Sequence, residues 1–160
     1  MNLTEERKRK LIKVSGTIQI RRSTDEVFDF FANPSNDPLW RAEINQSLLD
    51  GPLQSGAIIS EYSNLSKKAP NNLLQLKCVR FEKNTLAVFE TYETGSVYLR
   101  SQRLVSAVSD TTTAVTYKLD FDPAIVKIAL GFSLPRFIVS MKANKDMKKY
   151  LRQLKRRLEG

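Results

Sequence analysis

Glu90, Tyr92, Tyr117 and Arg103 are the side chains of this 160-residue chain best suited to acid–base work. A carboxylate or a phenol moves a proton, and a guanidinium beside them holds an enolate or a carboxylate. What is missing narrows the chemistry further. Histidine is absent from the whole sequence, which excludes Ser-His-Asp and Cys-His pairs, an imidazole base and a His-ligated zinc. The single cysteine, Cys78, builds neither an intramolecular disulfide nor a thiolate metal site. No GxGxxG and no Walker-type loop offers a phosphate cradle, so neither a cofactor nor a metal is expected. Any catalysis rests on carboxylates, Tyr, Lys, Arg or ordered water.

Short strands must position these groups. Val14-Ser15-Gly16-Thr17-Ile18-Gln19-Ile20 alternates with period two and predicts a first strand. Ser23-Thr24-Asp25-Glu26 is a capping signal ahead of Val27, Phe28, Phe30 and Phe31, a short helix ended by Asn33-Pro34. A second turn or short helix carries Asp37-Pro38-Leu39-Trp40. Strands are expected near 42–50, 56–63, 72–81, 85–93, 96–107 and 112–121, with turn signals between them at Asp50-Gly51-Pro52, 64–71, Glu82-Lys83-Asn84, Thr94-Gly95 and Ser109-Asp110. A Pro-interrupted apolar stretch, Pro123 to Met141, then runs into a basic amphipathic helix ending near Glu159. A long helix laid across one curved antiparallel sheet encloses either a packed core or a hollow.

The inward face follows from one hairpin. With Thr94-Gly95 as a two-residue turn, Glu93 faces Ser96, Tyr92 faces Val97, Glu90 faces Leu99, Val88 faces Ser101 and Leu86 faces Arg103. The last four pairs share one face, the more apolar of the two, which is assigned inward, and Glu93 falls on the other. The same alternation selects Leu74, Leu76 and Cys78 on one neighbour, and Val115, Tyr117, Leu119 and Phe121 on the other. Glu90 and Arg103 then point inward, where an unpaired charge costs several kcal/mol. Three arrangements satisfy them: a structural ion pair, a flipped sheet that leaves both in water, or a polar anchor inside an apolar cavity. The helix supplies the opposite wall through Phe137, Met141, Met147, Leu151, Leu154 and Leu158, with Leu134 in the more adaptable segment before it. Trp40 either closes the opening or plugs the short helices.

Net charge is +9, concentrated in Arg7, Lys8, Arg9, Lys10 and Lys13 and along the final helix at Lys142, Lys145, Lys149, Arg152 and Arg156. Such runs are solvated helix faces or docking surfaces for phosphates, an anionic membrane among them. No RNA-binding signature accompanies them, and nucleic acid is not the expected partner. The window Ala124–Met141 is broken by Lys127, Gly131, Pro135 and Arg136, short of the roughly 20 apolar residues a bilayer span needs. No apolar signal segment follows Met1, so the cytoplasm is the expected compartment. Residues 1–11 read as a charged leader and 12–160 as one domain.

Three stretches carry a family resemblance: Ile18-Gln19-Ile20-Arg21-Arg22-Ser23-Thr24-Asp25-Glu26-Val27-Phe28-Asp29-Phe30-Phe31, Pro38-Leu39-Trp40, and Leu151-Arg152-Gln153-Leu154-Lys155. With the order strand, two short helices, six strands, long helix, the chain resembles the START-like helix-grip superfamily of polyketide cyclases and dehydrases, lipid-transfer domains and the birch-pollen allergen type. It departs from the pattern at Asp110-Thr111-Thr112-Thr113, where a Gly-rich turn is usual, and in lacking the cavity histidines of some members. The resemblance implies an α+β fold, a curved antiparallel sheet of about seven strands wrapped around a long C-terminal helix. It also implies a cavity that binds a hydrophobic or amphipathic small molecule such as a lipid, quinone or polyketide. The expected lining is Trp40, Leu74, Leu76, Cys78, Val88, Glu90, Tyr92, Leu99, Arg103, Val115, Tyr117, Leu119, Leu134, Phe137 and Met141. Two other classes are compatible with it: a cyclase- or dehydrase-like enzyme working through Glu90, Tyr92 or Tyr117 with Arg103, and an interaction module acting through its basic surface.

Overall fold

Period-two alternation from Ile12 onward forms strand β1 (Ile12–Ile20), which buries Ile12, Val14 and Ile20 and turns Lys13, Ser15 and Gln19 away. The computed structural model describes residues 3–92 and 97–160. A short helix α1 (Glu5–Lys10) precedes β1, and α2 (Thr24–Phe31) with a 3-10 helix (Pro34–Leu39) follows it. Then come β2 (Ile44–Leu49), β3 (Ile58–Ser63), β4 (Asn72–Glu82), β5 (Leu86–Thr91), β6 (Leu99–Ser109) and β7 (Thr112–Phe121). Helices α3 (Ala124–Leu130) and α4 (Arg136–Glu159) close the chain. The strands form one antiparallel sheet in the order β1-β7-β6-β5-β4-β3-β2, so the α2 segment carries the chain from one edge to the other. This is the α+β helix-grip architecture. Among the described residues no helix is long and apolar enough to cross a membrane.

The apolar stretch before the final helix is two elements. Gly131, at φ 82°, ends α3 in the left-handed region that a side chain resists, and Pro135 opens α4. Helix α4 lies against β1, where Gly16 permits the approach: a Cβ there would sit 2.7 Å from Leu151 Cδ1 and 2.9 Å from Met147 Cγ.

The β5–β6 register differs from expectation by one residue. Glu90 pairs with Arg100, Phe89 with Ser101 and Ala87 with Arg103. Nine residues therefore separate Glu90 from its partner, an odd number, whereas a two-residue turn demands an even one. The turn residues themselves, with the Glu93–Ser96 pairing, lie outside the described residues. The shift leaves Leu99, Ser101 and Arg103 inward but inverts β5: Ala87, Phe89 and Thr91 face the concave side. Val88 and Glu90 belong to the convex side, where Val88 sits between Arg80 and Gln102 and Glu90 accepts the Tyr98 hydroxyl at 3.0 Å. Tyr92 lies past the end of β5 and is 36% exposed.

Helical phase makes a second correction. Met147, Leu151 and Leu154 are buried as expected and Leu158 packs against them, but Phe137 and Met141 are 67% and 68% exposed. Met141 stands six residues before Met147, about a third of a turn off its face. Val139 and Ala143 take the inward places instead.

Candidate functional site

The concave face is half filled and half hollow. Over one half, α2 and the 3-10 helix seat Phe28, Phe31 and Trp40 against the sheet. Phe28 stacks on Phe81 with centroids 5.6 Å apart, and Phe31, Trp40 and Tyr117 meet within 5.4–5.8 Å. Leu76, Cys78 and Val115 belong to this filled core. Over the other half α4 stands off the sheet and leaves a groove of about 890 Å³, within the usual range of small-molecule sites of roughly 300–1,000 Å³. Its apolar wall is Val14, Leu74, Leu99, Leu119, Phe121 and Ile125; its helical edge carries Lys142, Ala143, Asp146, Lys149, Tyr150, Arg152 and Arg156; and Ser63, Asn64 and Asn72 line the polar side.

A buried charge network forms the floor between the two halves. Arg103 donates to both carboxylate oxygens of Asp37, at 2.8 and 2.6 Å, and to the Phe31 carbonyl at 2.8 Å. Its guanidinium is boxed by the rings of Phe31, Trp40, Phe89 and Tyr117, with centroids 5.3–5.9 Å away. Arg41 donates to Asp37 at 3.2 Å, to Glu61 at 3.3 Å and to Glu43 at 3.1 Å, and lies over the Tyr150 ring. Three carboxylates thus meet two guanidiniums. Burial pushes the Glu61 carboxyl above the usual range; Arg41 opposes this, and Asp37 adds to it. Burial also works against the charge of Arg41, but Tyr117, Glu61, Glu43 and Asp37 outweigh it and hold that guanidinium firmly protonated. Tyr150 and Tyr117 are raised as well, chiefly by burial, so both remain neutral phenols. Trp40 Nε1, Arg41 Nε and Tyr117 Oη form no hydrogen bond among the described residues, which concentrates unsatisfied polarity at this floor.

Of the fifteen side chains expected to line a cavity, Trp40, Leu74, Leu99 and Leu119 reach the groove. Leu76, Cys78, Val115 and Tyr117 face the same side but are consumed by the core beneath it, as is Leu134 at its margin. Arg103 is inward and fully paired, with Asp37 in the part expected of Glu90. Val88, Glu90, Tyr92, Phe137 and Met141 lie outside for the reasons of register and phase given above. Asp37, Arg41, Glu43 and Glu61 escaped notice in the sequence. One signal for Glu61 was present: it alternates with Ile59 and Ser63 on a strand whose inward set is thereby fixed. Of the basic helix residues expected to meet a membrane, Lys142, Lys149, Arg152 and Arg156 open onto the groove, and Lys145 faces solvent.

No protein-family model matches the sequence, and no curated protein matches it. Solved structures do. A START superfamily protein from Mycobacterium smegmatis superposes with a TM-score of 0.73 at 12% identity, covering 92% of this chain and 97% of that one. The di-domain aromatase/cyclase StfQ of the steffimycin biosynthetic pathway gives 0.71 at 9% identity over 97% of this chain, which spans 53% of StfQ. The ZhuI aromatase/cyclase from Streptomyces sp. R1128 gives 0.63 at 12% identity, covering 92% and 95% of the two chains. Identities this low carry the fold alone, and the chain shares the helix-grip architecture of these START and aromatase/cyclase structures.

Proposed function

We propose that the protein binds a hydrophobic or amphipathic small molecule in the groove between α4 and the concave sheet, for sequestration or transfer. The observation that carries this reading is the hollow half of the concave face. A chain of this size fills such a space readily, as α2 does on the other half, yet here an apolar wall from four strands and α3 stands opposite a polar helix edge. Burying a ligand's body against that wall supplies affinity at roughly 25 cal/mol per Å², and the polar floor and edge set its orientation. The aromatase/cyclases among the structural neighbours raise acid–base catalysis as an alternative. Of the proton-moving groups anticipated for it, Glu90 and Tyr92 stand away from the groove and Tyr117 is a neutral phenol buried in the core beneath it, which favours the carrier.

Membrane contact belongs to the same proposal. Beside the groove, Ile128, Phe132, Phe137, Ile138 and Met141 form an exposed apolar corner where α3 meets α4, flanked by Lys127, Arg136, Lys142 and Lys145. This pairing of apolar tip and cationic collar suits an anionic lipid surface.

The deciding experiment is native mass spectrometry of freshly purified protein with solvent extraction of whatever accompanies it, alongside Leu99→Arg. A stoichiometric lipid-, quinone- or polyketide-like mass that is lost in the variant is the expected result. An apo mass that does not shift with a panel of lipids and aromatics, or equal occupancy in L99R, overturns the groove as a binding site.

A further inference from the structure

We infer that the groove selects an amphipathic anion, an apolar body ending in an acidic head group, and that the Lys149, Arg152 and Arg156 edge of α4 reads that charge; this rests on the carrier reading above. Five cations line the groove, and two are already matched. Arg41 is held by Asp37, Glu61 and Glu43, and Lys142 by Asp146 at 3.0 Å. Among the described residues, the side chains of Lys149, Arg152 and Arg156 meet no acid and make no hydrogen bond. They follow one another at i, i+3 and i+7, one face of the helix over about 10 Å. Basic residues on a helix normally find carboxylates one turn away, as Lys142 and Lys155 do on this same helix. Here the residues four positions back are Lys145, Lys148 and Arg152, and the two acids three positions away are already taken, Asp146 by Lys142 and Glu159 by Lys155 and Arg21.

The acids inside the groove do not neutralise this edge. Glu43 and Glu61 are committed to Arg41, and burial drives Glu61 toward its uncharged form. The groove lining carries five cations against three carboxylates, Glu43, Glu61 and Asp146, and the surplus positive charge sits at the helical edge, facing the apolar wall of Leu74, Leu99, Leu119 and Phe121. A ligand with a neutral head gains from the wall alone. One with an acidic head also gains charge-assisted hydrogen bonds from cations that have no other partner.

The test uses matched pairs that differ only in the head: oleate against oleyl alcohol, and 1-pyrenebutyrate against 1-pyrenebutanol, titrated into the full chain and into Arg152→Glu/Arg156→Glu. Both arginine side chains are in solvent, so the fold of the double variant is checked by its far-ultraviolet circular dichroism and melting curve. The expected result is that the acid binds about tenfold more tightly than the alcohol in at least one pair. That preference should shrink with salt and vanish in the double variant. Equal affinity for acid and alcohol, or a preference that survives the charge reversal, overturns the inference and leaves the carrier reading standing. Failure of all four compounds to bind overturns both.

Discussion

Asp37 is the residue on which the interior depends. Fully buried, it accepts three hydrogen bonds from two buried guanidiniums. Replacing both partners of such a network with well-packed apolar groups is often harmless, whereas removing one strands the others. Asp37→Asn keeps the volume and removes the charge. It is expected to lower unfolding free energy by about 3–5 kcal/mol in urea denaturation, and a loss below 1 kcal/mol would show Arg103 to be held by the aromatic box alone. Glu61 makes the opposite kind of contribution. Its carboxyl titrates above the ordinary value of 4.5 in the folded protein, so the fold binds its proton more tightly than the unfolded chain does. Stability from this group is complete below pH 4.5 and declines as pH rises through the raised value. Glu61→Gln cannot ionise, so the stability of the variant relative to the parent should rise between pH 4 and 8 in urea titrations. A gap independent of pH would mean that Arg41 compensates the ionised carboxylate fully.

At the scale of elements, the approach of α4 to β1 sets how wide the groove can be. Gly16 is the contact point, and the obstacle to a side chain there is steric, since Leu151 and Met147 already occupy the space. Gly16→Ala must push the helix outward or force a rotamer change, with an expected loss of about 1–3 kcal/mol, read as a lower melting temperature together with altered ligand affinity. Unchanged melting would mean that both side chains simply swing aside. The same elements show what the sequence disclosed. Alternation in β1, β4 and β7 and the turn signals between strands located the sheet, because each strand buries one face only. The β5 faces were lost because they hung on one turn, and side chains of period two invert with a single added residue. Phe137 and Met141 were misplaced because α4 exposes large apolar residues next to its buried stripe, so hydrophobicity alone did not fix the phase. Asp37 lies in the turn sequence Asn36-Asp37-Pro38, whose local signal is a bend. Its burial arises only when β6 brings Arg103 from 66 residues away.

The whole molecule is a positively charged body, net +9, with five exposed apolar side chains, Ile128, Phe132, Phe137, Ile138 and Met141, at the corner where α3 meets α4. That corner is built by chain geometry: Gly131 turns α3 back toward α4, and the 64–71 segment braces it through hydrogen bonds from Ser66 to the Ala129 carbonyl and from Lys68 to that of Leu130. The same segment contributes Asn64 and Leu65 to the groove, and α3 contributes Ile125, so the apolar corner and the groove adjoin. Under the proposed membrane docking, a ligand leaving a bilayer at this corner would reach the apolar wall without a long passage through water. On the membrane docking proposed above, charge would draw the protein to an anionic surface, at about 1 kcal/mol for each basic residue near it, and salt would screen that attraction. Insertion of Phe137 and Met141 is insensitive to salt, so the two contributions separate. Binding to vesicles containing phosphatidylserine should weaken as salt is raised without vanishing. Phe137→Asp/Met141→Asp should remove the salt-resistant fraction in a flotation assay and leave the melting temperature unchanged, because both side chains are already in water. Equal flotation of parent and variant would leave charge alone to bring the protein to membranes, with the corner held above the headgroups and the groove loaded from solution.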